Sequence, residues 1–239
     1  MDALTAARQI AEPVQVLGAR FMLDGATFGR CAQLGLPAGL ASYALGRLGV
    51  LGDVEADTAC EAAFFFTPEV IHGNWTPTDA LSPSAAGAIY AQVCAEMGRV
   101  YLDGFAGSGR LAALAATVVD AADPTAADLF AGWRNQPRPD DDPGRAYLLV
   151  QTLRELRGCR HIAAARAAGA DPHGLVLANG GPAALFGWPD EGEPVDSAVR
   201  DAIEAATDAA SAADLSPLSD DERAELAELA TAAHAHATA

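Results

Sequence analysis

The sequence predicts an all-α fold made of two packed helical halves, with at most a short β-hairpin. Three observations favour this class. Hydrophobic residues make up 51% of the 239 residues and charged residues 20%, which is enough apolar material for a core. Alanine, the best intrinsic helix former, is abundant, whereas aromatic residues are scarce at 6%. Residues typical of helix starts and helix ends also recur along the chain at helical lengths.

Five helices are predicted before residue 80. The first runs from about Leu4 towards Phe21, and Pro13 should bend it because proline removes one backbone donor. The next four cover residues 24–35, 36–52, 54–66 and 67–75. In the third helix, Pro37 near the start and Gly52 after the end follow the usual order of proline first and glycine last.

A long helix and a loop follow. The helix is predicted from Ser82 to Phe105, and the glycines of residues 107–110 interrupt it because glycine lowers helix stability. The segment RNQPRPDDDPGR, residues 134–145, contains three prolines and three consecutive aspartates and is the clearest loop. The predicted organisation is therefore an N-terminal helical half over residues 1–134, with a helix at 123–133, a connecting loop over 135–145 and a C-terminal half over 146–239.

The C-terminal half begins with the helix that contains LRELRGCRH, residues 153–161. Its next predicted elements are a short helix over residues 171–180, a two-stranded wing around residues 188–195 and a helix over residues 197–213. A final helix begins with a capping box formed by Ser219 and Glu222. The apolar stripe of this last helix could pair with a second copy, so a homodimer is one expectation.

The overall charge argues against several partners. The formal net charge is −17, and all 15 basic residues are arginines. Because DNA affinity comes largely from cations on phosphates, we expect no nucleic-acid partner. The N-terminal MDALTAARQIAEP has an acid and no apolar segment, and no run of 18 apolar residues occurs, so we expect a cytoplasmic protein without a membrane partner. The cysteines contain no C-x-x-C pair and are expected to be reduced and buried: Cys31, Cys60, Cys94 and Cys159.

The segment LRELRGCRH concentrates positive charge in this acidic chain. At 100° per residue, Arg154, Arg157 and His161 lie within about 60° of one another on a helix. We expect this face to look into a cleft between the halves. Gly158, which has no side chain, would let another backbone approach the helix there.

Like-charged groups on one face repel each other unless an anion balances them. One candidate is structural: Glu155 or the acids Asp140 to Asp142 pair with the arginines. The other is a ligand carboxylate or phosphate, which a guanidinium binds with two parallel hydrogen bonds. The sequence leaves both readings open, and it makes Arg154 and Arg157 candidate ligand-binding residues.

Five aromatic or imidazole side chains complete the candidate site. His161 is the candidate catalytic residue, because imidazole titrates near neutral pH and can act as a general acid or base. His72 and Trp75, about one turn apart, are candidates for the mouth of a cavity, and Phe65 and Tyr101 are candidates for its lining. The alternative for each is ordinary core packing.

Several segments also follow one another in a familiar order: EPVQ, LGLPAGLASYALGRLGVLGDV, FFFTPEVIHGNW, LRELRGCRHIAAARAAG, FGWPDEG and AIEAATD. Together they resemble the actinobacterial group of SalK-like helix-turn-helix proteins over nearly the whole chain. The resemblance implies two winged-helix-like halves and a context in bacterial specialised metabolism, and it implies no particular reaction.

The resemblance does not extend to the histidines of that group. Its members tend to carry histidine at the places held here by Gln15, Thr67, Leu156 and His161, and only the last of these is a histidine. A metal or haem site supported by those histidines would have lost most of its ligands. We therefore expect no metal and no cofactor.

Three function classes remain. The first is a small-molecule-binding protein, with or without catalytic activity, whose Arg- and His-lined cleft suits an anionic or aromatic ligand. The second is a winged-helix transcription regulator, but the candidate recognition segment PAALFGW has no basic residue and PDEGE follows it. The third is a non-catalytic dimerisation module. The charge pattern favours the first.

Overall fold

The computed structural model describes residues 1–239 and contains twelve α-helices, two short 3-10 helices and no β-strand. The α-helices are α1 (Ala3–Arg20), α2 (Gly25–Gln33), α3 (Leu40–Gly49), α4 (Ala56–Ala62), α5 (Pro68–Asn74), α6 (Pro83–Tyr101), α7 (Ser108–Ala121), α8 (Asp128–Arg134), α9 (Asp142–Ala167), α10 (Pro172–Ala178), α11 (Ser197–Asp214) and α12 (Asp220–Thr238). The 3-10 helices are Phe21–Leu23 and Ala183–Phe186. The all-α class is confirmed.

Polar caps fix many of the helix starts. The side chains of Asp2, Thr67 and Ser82 each accept a hydrogen bond from a backbone N–H in the first turn of α1, α5 and α6. The predicted capping box of α12 is present, with Ser219 and Glu222 bonded to each other's backbone. These caps explain why the sequence locates the helix starts to within a few residues.

The long central helix α9 begins earlier than predicted. The side chain of Asp141 accepts a hydrogen bond from the N–H of Gly144 and so caps α9, which shortens the predicted 135–145 loop. Asp141 also pairs with Arg99, and Asp142 pairs with Arg145. Asp141 and Asp142 therefore have other partners, and none of the three aspartates pairs with an arginine of residues 153–161.

The predicted hairpin does not form. Residues 188–196 contain no strand, and isolated hydrogen bonds connect this segment to other parts of the chain. The indole N–H of Trp188 donates to the carbonyl of Phe65, and the N–H of Val195 donates to the carbonyl of Gly174. Because a wing is a β-hairpin, the winged-helix likeness is not confirmed.

One large core joins most of the helices, and a second cluster of three buried residues packs α9, α10 and α11 together. A cluster of 49 buried residues extends from Ala6 in α1 to Ala237 in α12, on both sides of the predicted boundary. Helix α9 lies at its centre and packs against α1, α6, α7, α8 and α11. Helices α3 and α6 approach so closely that a Cβ added at Gly49 would lie 2.1 Å from the carbonyl oxygen of Pro83. The division into two halves stays a prediction.

The last helix packs inside the chain. Its apolar face, with Leu226 and Ala233 buried, lies against α1 and α7. This face is therefore already covered in one chain, and dimerisation stays a prediction without this support. None of the helices combines the length and apolar character that crossing a bilayer requires.

Candidate functional site

A cavity lies beside the central helix α9. It has a volume of about 390 Å³, within the range of small-molecule sites. Its walls come from α1, α3, residues 62–66 at the end of α4 and after it, α8, α9, α10, the segment around residues 179–186 and α11. The charged and polar lining residues are Gln15, Tyr43, Arg47, Arg154, Glu155, Arg157, His161, Asn179 and Glu204. The predicted cationic face therefore does look into a cavity.

The inner wall contains a buried group of three charges. Glu155 has only 2% of its side chain exposed and accepts two hydrogen bonds from Arg47, at 3.0 Å from Nε and 2.8 Å from Nη2. It also accepts one from Arg154 Nη1 at 2.9 Å and one from Gln151 Nε2 at 2.7 Å. Three of these four donors bind Oε1 of the carboxylate, and Arg47 Nη2 alone binds Oε2.

The charges of this group do not cancel. Burial alone would raise the pKa of the Glu155 carboxyl, but Arg47 and Arg154 hold that pKa below its ordinary value, so the group is ionised. Two guanidinium groups therefore share one carboxylate, which leaves one positive charge in excess. The Arg154 guanidinium has five N–H donors and makes a single hydrogen bond. Its Nε is buried without a partner, so the N–H groups left on its two terminal nitrogens are the candidate anion donors of the wall.

Arg157 is balanced within the protein. Its Nη2 donates to Glu204 at 3.0 Å and to Asp208 at 3.1 Å, both on α11. Asp208 in turn accepts from Arg8 at 3.1 Å. The structural reading of the cationic cluster therefore holds for Arg157, although the acids come from α11 and not from the Asp140 to Asp142 run.

The hydrogen-bond partners of His161 indicate which ring nitrogen carries the proton in the neutral form. Nδ1 lies 3.1 Å from the hydroxyl of Thr207, whose own proton goes to the Ile203 carbonyl, and 3.4 Å from a carboxylate oxygen of Glu204. Both neighbours accept, so Nδ1 carries the proton. Nε2 makes no hydrogen bond within the chain and is free to accept one.

Burial is the main influence on the protonation of His161. It lowers the pKa of the imidazole, which the nearby Glu204 carboxylate opposes and Arg157 reinforces. The net shift is downward, so the ring is neutral at neutral pH. A neutral ring with a free Nε2 can accept a hydrogen bond or a proton from a ligand.

Aromatic rings form another part of the cavity wall. Phe65 stacks on His161 with ring centroids 6.0 Å apart and an interplanar angle of 29°. Phe66 contacts Phe186 at 4.8 Å and Tyr43 at 5.9 Å. All four of these aromatic rings, together with Phe64, line the cavity.

Gly158 has a different role from the one predicted. No atom lies within 4 Å of a Cβ built at this residue, so no other backbone approaches the helix there. Gly158 instead lines the cavity on the face of α9 between Arg154 and His161. The missing side chain leaves open space.

Three predicted site residues lie elsewhere. His72 is half exposed and pairs with Asp57 on the surface at 2.8 Å. Trp75 is buried in the core at the end of α5. The Tyr101 hydroxyl donates to Asp24 at 2.5 Å, and the ring lies under Arg20. Each has a local partner away from the cavity, and none of the three lines it. Of the predicted site residues, Phe65, Arg154, Arg157 and His161 come together.

Sequence reasoning missed Arg47 and the polar side chains of α11. Arg47 lies four residues after Tyr43 on the apolar face of α3, and a charge on such a face was a usable signal for a buried partner. For Thr207 and Asp208, the neighbouring residues in the sequence give no sign of a role in the site. Their contacts with α9 exist only in the folded chain.

The four positions at which members of the SalK-like group tend to carry histidine do not all lie in the cavity. Gln15 and His161 line the cavity, whereas Thr67 caps α5 and Leu156 is buried in the core. No three His, Cys, Asp or Glu side chains are grouped so that they could hold a metal ion.

Comparison with known proteins identifies the family. The model of the helix-turn-helix family matches residues 5–189. The chain belongs to this helix-turn-helix family. The match covers α1 to α10, and so includes Arg154, Arg157 and His161, while their partners on α11 lie beyond it. No curated protein and no solved structure matches the chain.

Replacing Glu155 by glutamine tests the buried charge group. The variant leaves two buried guanidinium groups without a carboxylate, so the free energy of unfolding should fall by about 3–5 kcal/mol. Denaturant unfolding followed by circular dichroism measures it. Glu225→Gln, which removes an exposed partner of Arg110, is the matched control and should lower the free energy of unfolding far less, because solvent screens an exposed pair. Equal effects of the two changes would contradict a buried, stability-determining carboxylate.

Proposed function

We propose that this helix-turn-helix family protein binds a small organic anion in the cavity beside α9. The observation that carries the proposal is the buried excess of one positive charge in the group of Arg47, Glu155 and Arg154. In this group, Arg154 lies on the cavity wall and has N–H donors without a partner. A buried charge is costly unless a counter-charge accompanies it. A ligand carboxylate or phosphate supplies that counter-charge and accepts the unused N–H groups.

The remaining lining supports an organic ligand over a simple ion. Aromatic rings form much of the wall, and the volume of about 390 Å³ suits a small organic molecule. His161 supplies a neutral acceptor in the same space, which makes it the candidate general base if the protein is an enzyme. The narrower SalK-like assignment, with a setting in bacterial specialised metabolism, belongs to this proposal.

Ligand-observed NMR with a mixture of aliphatic carboxylates, aromatic carboxylates and phosphate monoesters tests the proposal. We expect at least one of these anions to bind the wild-type protein, and Gly158→Leu to abolish binding. Leucine improves helix propensity, and no atom obstructs its Cβ, so the variant should keep the wild-type melting temperature while filling the cavity.

Gly29→Leu is the matched control for this substitution. Gly29 is an exposed helical glycine in α2 that also has no atom within 4 Å of an added Cβ. This control should bind as the wild type does. Undiminished binding to Gly158→Leu, or no binding of any of these anions to the wild type, would contradict the proposal.

A DNA-binding regulator is the second candidate, and the family match is the observation that favours it. The charges oppose it. Twelve of the 15 arginines already lie within 4.0 Å of a carboxylate, and there is no lysine. The three others are Arg20, Arg134 and Arg166, too few to neutralise a run of phosphates. The segment proposed for recognition is a four-residue 3-10 helix without a basic residue.

We therefore expect no affinity for duplex DNA at physiological salt, because the net charge of −17 repels the phosphate backbone. Fluorescence anisotropy of a labelled random-sequence duplex measures this. Binding at submicromolar protein that weakens steeply as salt rises would favour the regulator.

A further inference from the structure

The cavity has two chemically different ends along one face of α9. Arg154 and His161 are seven residues apart, which places them about 10 Å apart along the helix and within about 20° around it. Gly158 lies between them on the same face, and nothing occupies the place of its side chain. A cationic donor and a neutral acceptor therefore flank one open gap in the lining.

The charges give this gap a polarity. At one end, Arg154 has unused donors and the excess positive charge. At the other end, the free atom of His161 is an acceptor, and the carboxylate of Glu204 lies 3.4 Å from the same ring. A second anionic group on a ligand would be repelled there, whereas a hydroxyl or amino group would find an acceptor.

The walls favour a flat ring between these ends. The ring of Phe65 stacks on His161 with an inclination of 29°, and Phe64 contacts Phe65 edge-on at 5.1 Å. Phe66 and Phe186 form a second aromatic pair in the lining. Aromatic faces and edges make their best contacts with another aromatic ring.

We propose that the ligand is an aromatic acid whose ring lies over Gly158, with its carboxylate on Arg154 and a hydrogen-bond donor at its opposite end on Nε2 of His161. This inference rests on the proposed function and names the class of its ligand. Arg154 selects the acid, the open space at Gly158 admits the ring, and His161 selects the distal donor. The imidazole Nδ1–H is held by Thr207, which keeps Nε2 as the acceptor.

Calorimetric titration with four small probes tests the ligand class: 4-hydroxybenzoate, benzoate, cyclohexanecarboxylate and phenol. The wild type should bind 4-hydroxybenzoate roughly 3- to 10-fold more tightly than benzoate, as one added hydrogen bond contributes. Benzoate should bind more tightly than cyclohexanecarboxylate because its ring is flat and aromatic. Phenol, which lacks the carboxylate, should bind more weakly than either aromatic acid.

Two variants test which residue binds each end of the ligand. His161→Phe keeps a flat ring on Phe65 but removes the acceptor, so the preference for 4-hydroxybenzoate over benzoate should fall to about one while benzoate affinity is retained. Arg154→Met leaves Glu155 paired with Arg47, so the fold should survive. It should weaken both aromatic acids roughly 10-fold or more and leave phenol unchanged. Melting temperatures near that of the wild type confirm that both variants are folded.

The outcomes separate this inference from the function on which it rests. Carboxylates that bind through Arg154 without preference for the aromatic ring or for the hydroxyl group would overturn the inference and leave anion binding intact. A preference for the hydroxyl that survives in His161→Phe would overturn the assignment of the donor end. If no carboxylate binds the wild type, both proposals fail.

Discussion

The buried carboxylate of Glu155 is the interaction on which the cavity depends. It joins α3 to α9 through two hydrogen bonds from Arg47, and it holds Arg154 through a third. Such a carboxylate is expensive to bury, and its attraction to the two arginines together with its four hydrogen bonds offsets that cost. Because one carboxylate carries a single negative charge, Glu155 cannot neutralise both arginines. The same contact that stabilises the fold thus leaves the cavity wall positively charged.

The rest of the chain arranges polarity around this wall. Helix α11 brings Glu204, Thr207 and Asp208 to the other end of the same face of α9. These side chains neutralise Arg157 and orient His161, so the positive charge is confined to the inner end. The protein is acidic overall and most of its arginines are paired with carboxylates, which distinguishes it from DNA-binding proteins, whose surfaces present many free cations to phosphates.

The sequence predicted the features that depend on residues close together in the chain. Helix starts at Ser82 and Ser219 follow from caps, and the common face of Arg154 and His161 follows from helical periodicity. It did not predict contacts between residues distant in the chain, such as Arg47 with Glu155, 108 residues apart. His72 and Trp75 were misplaced for the same reason, since a local aromatic cluster does not reveal which side of α5 faces the core. The role of Gly158 as open space also needed the packed structure.

The most direct test of the central claim is the anomalous diffraction of iodide soaked into crystals of the protein. Iodide reports positive charge without regard to the organic part of any ligand. We expect an anomalous peak inside the cavity, within hydrogen-bonding reach of the Arg154 guanidinium, and no peak near the neutralised Arg157. Iodide found only at the surface, with none beside Arg154, would contradict an uncompensated positive charge in the cavity wall.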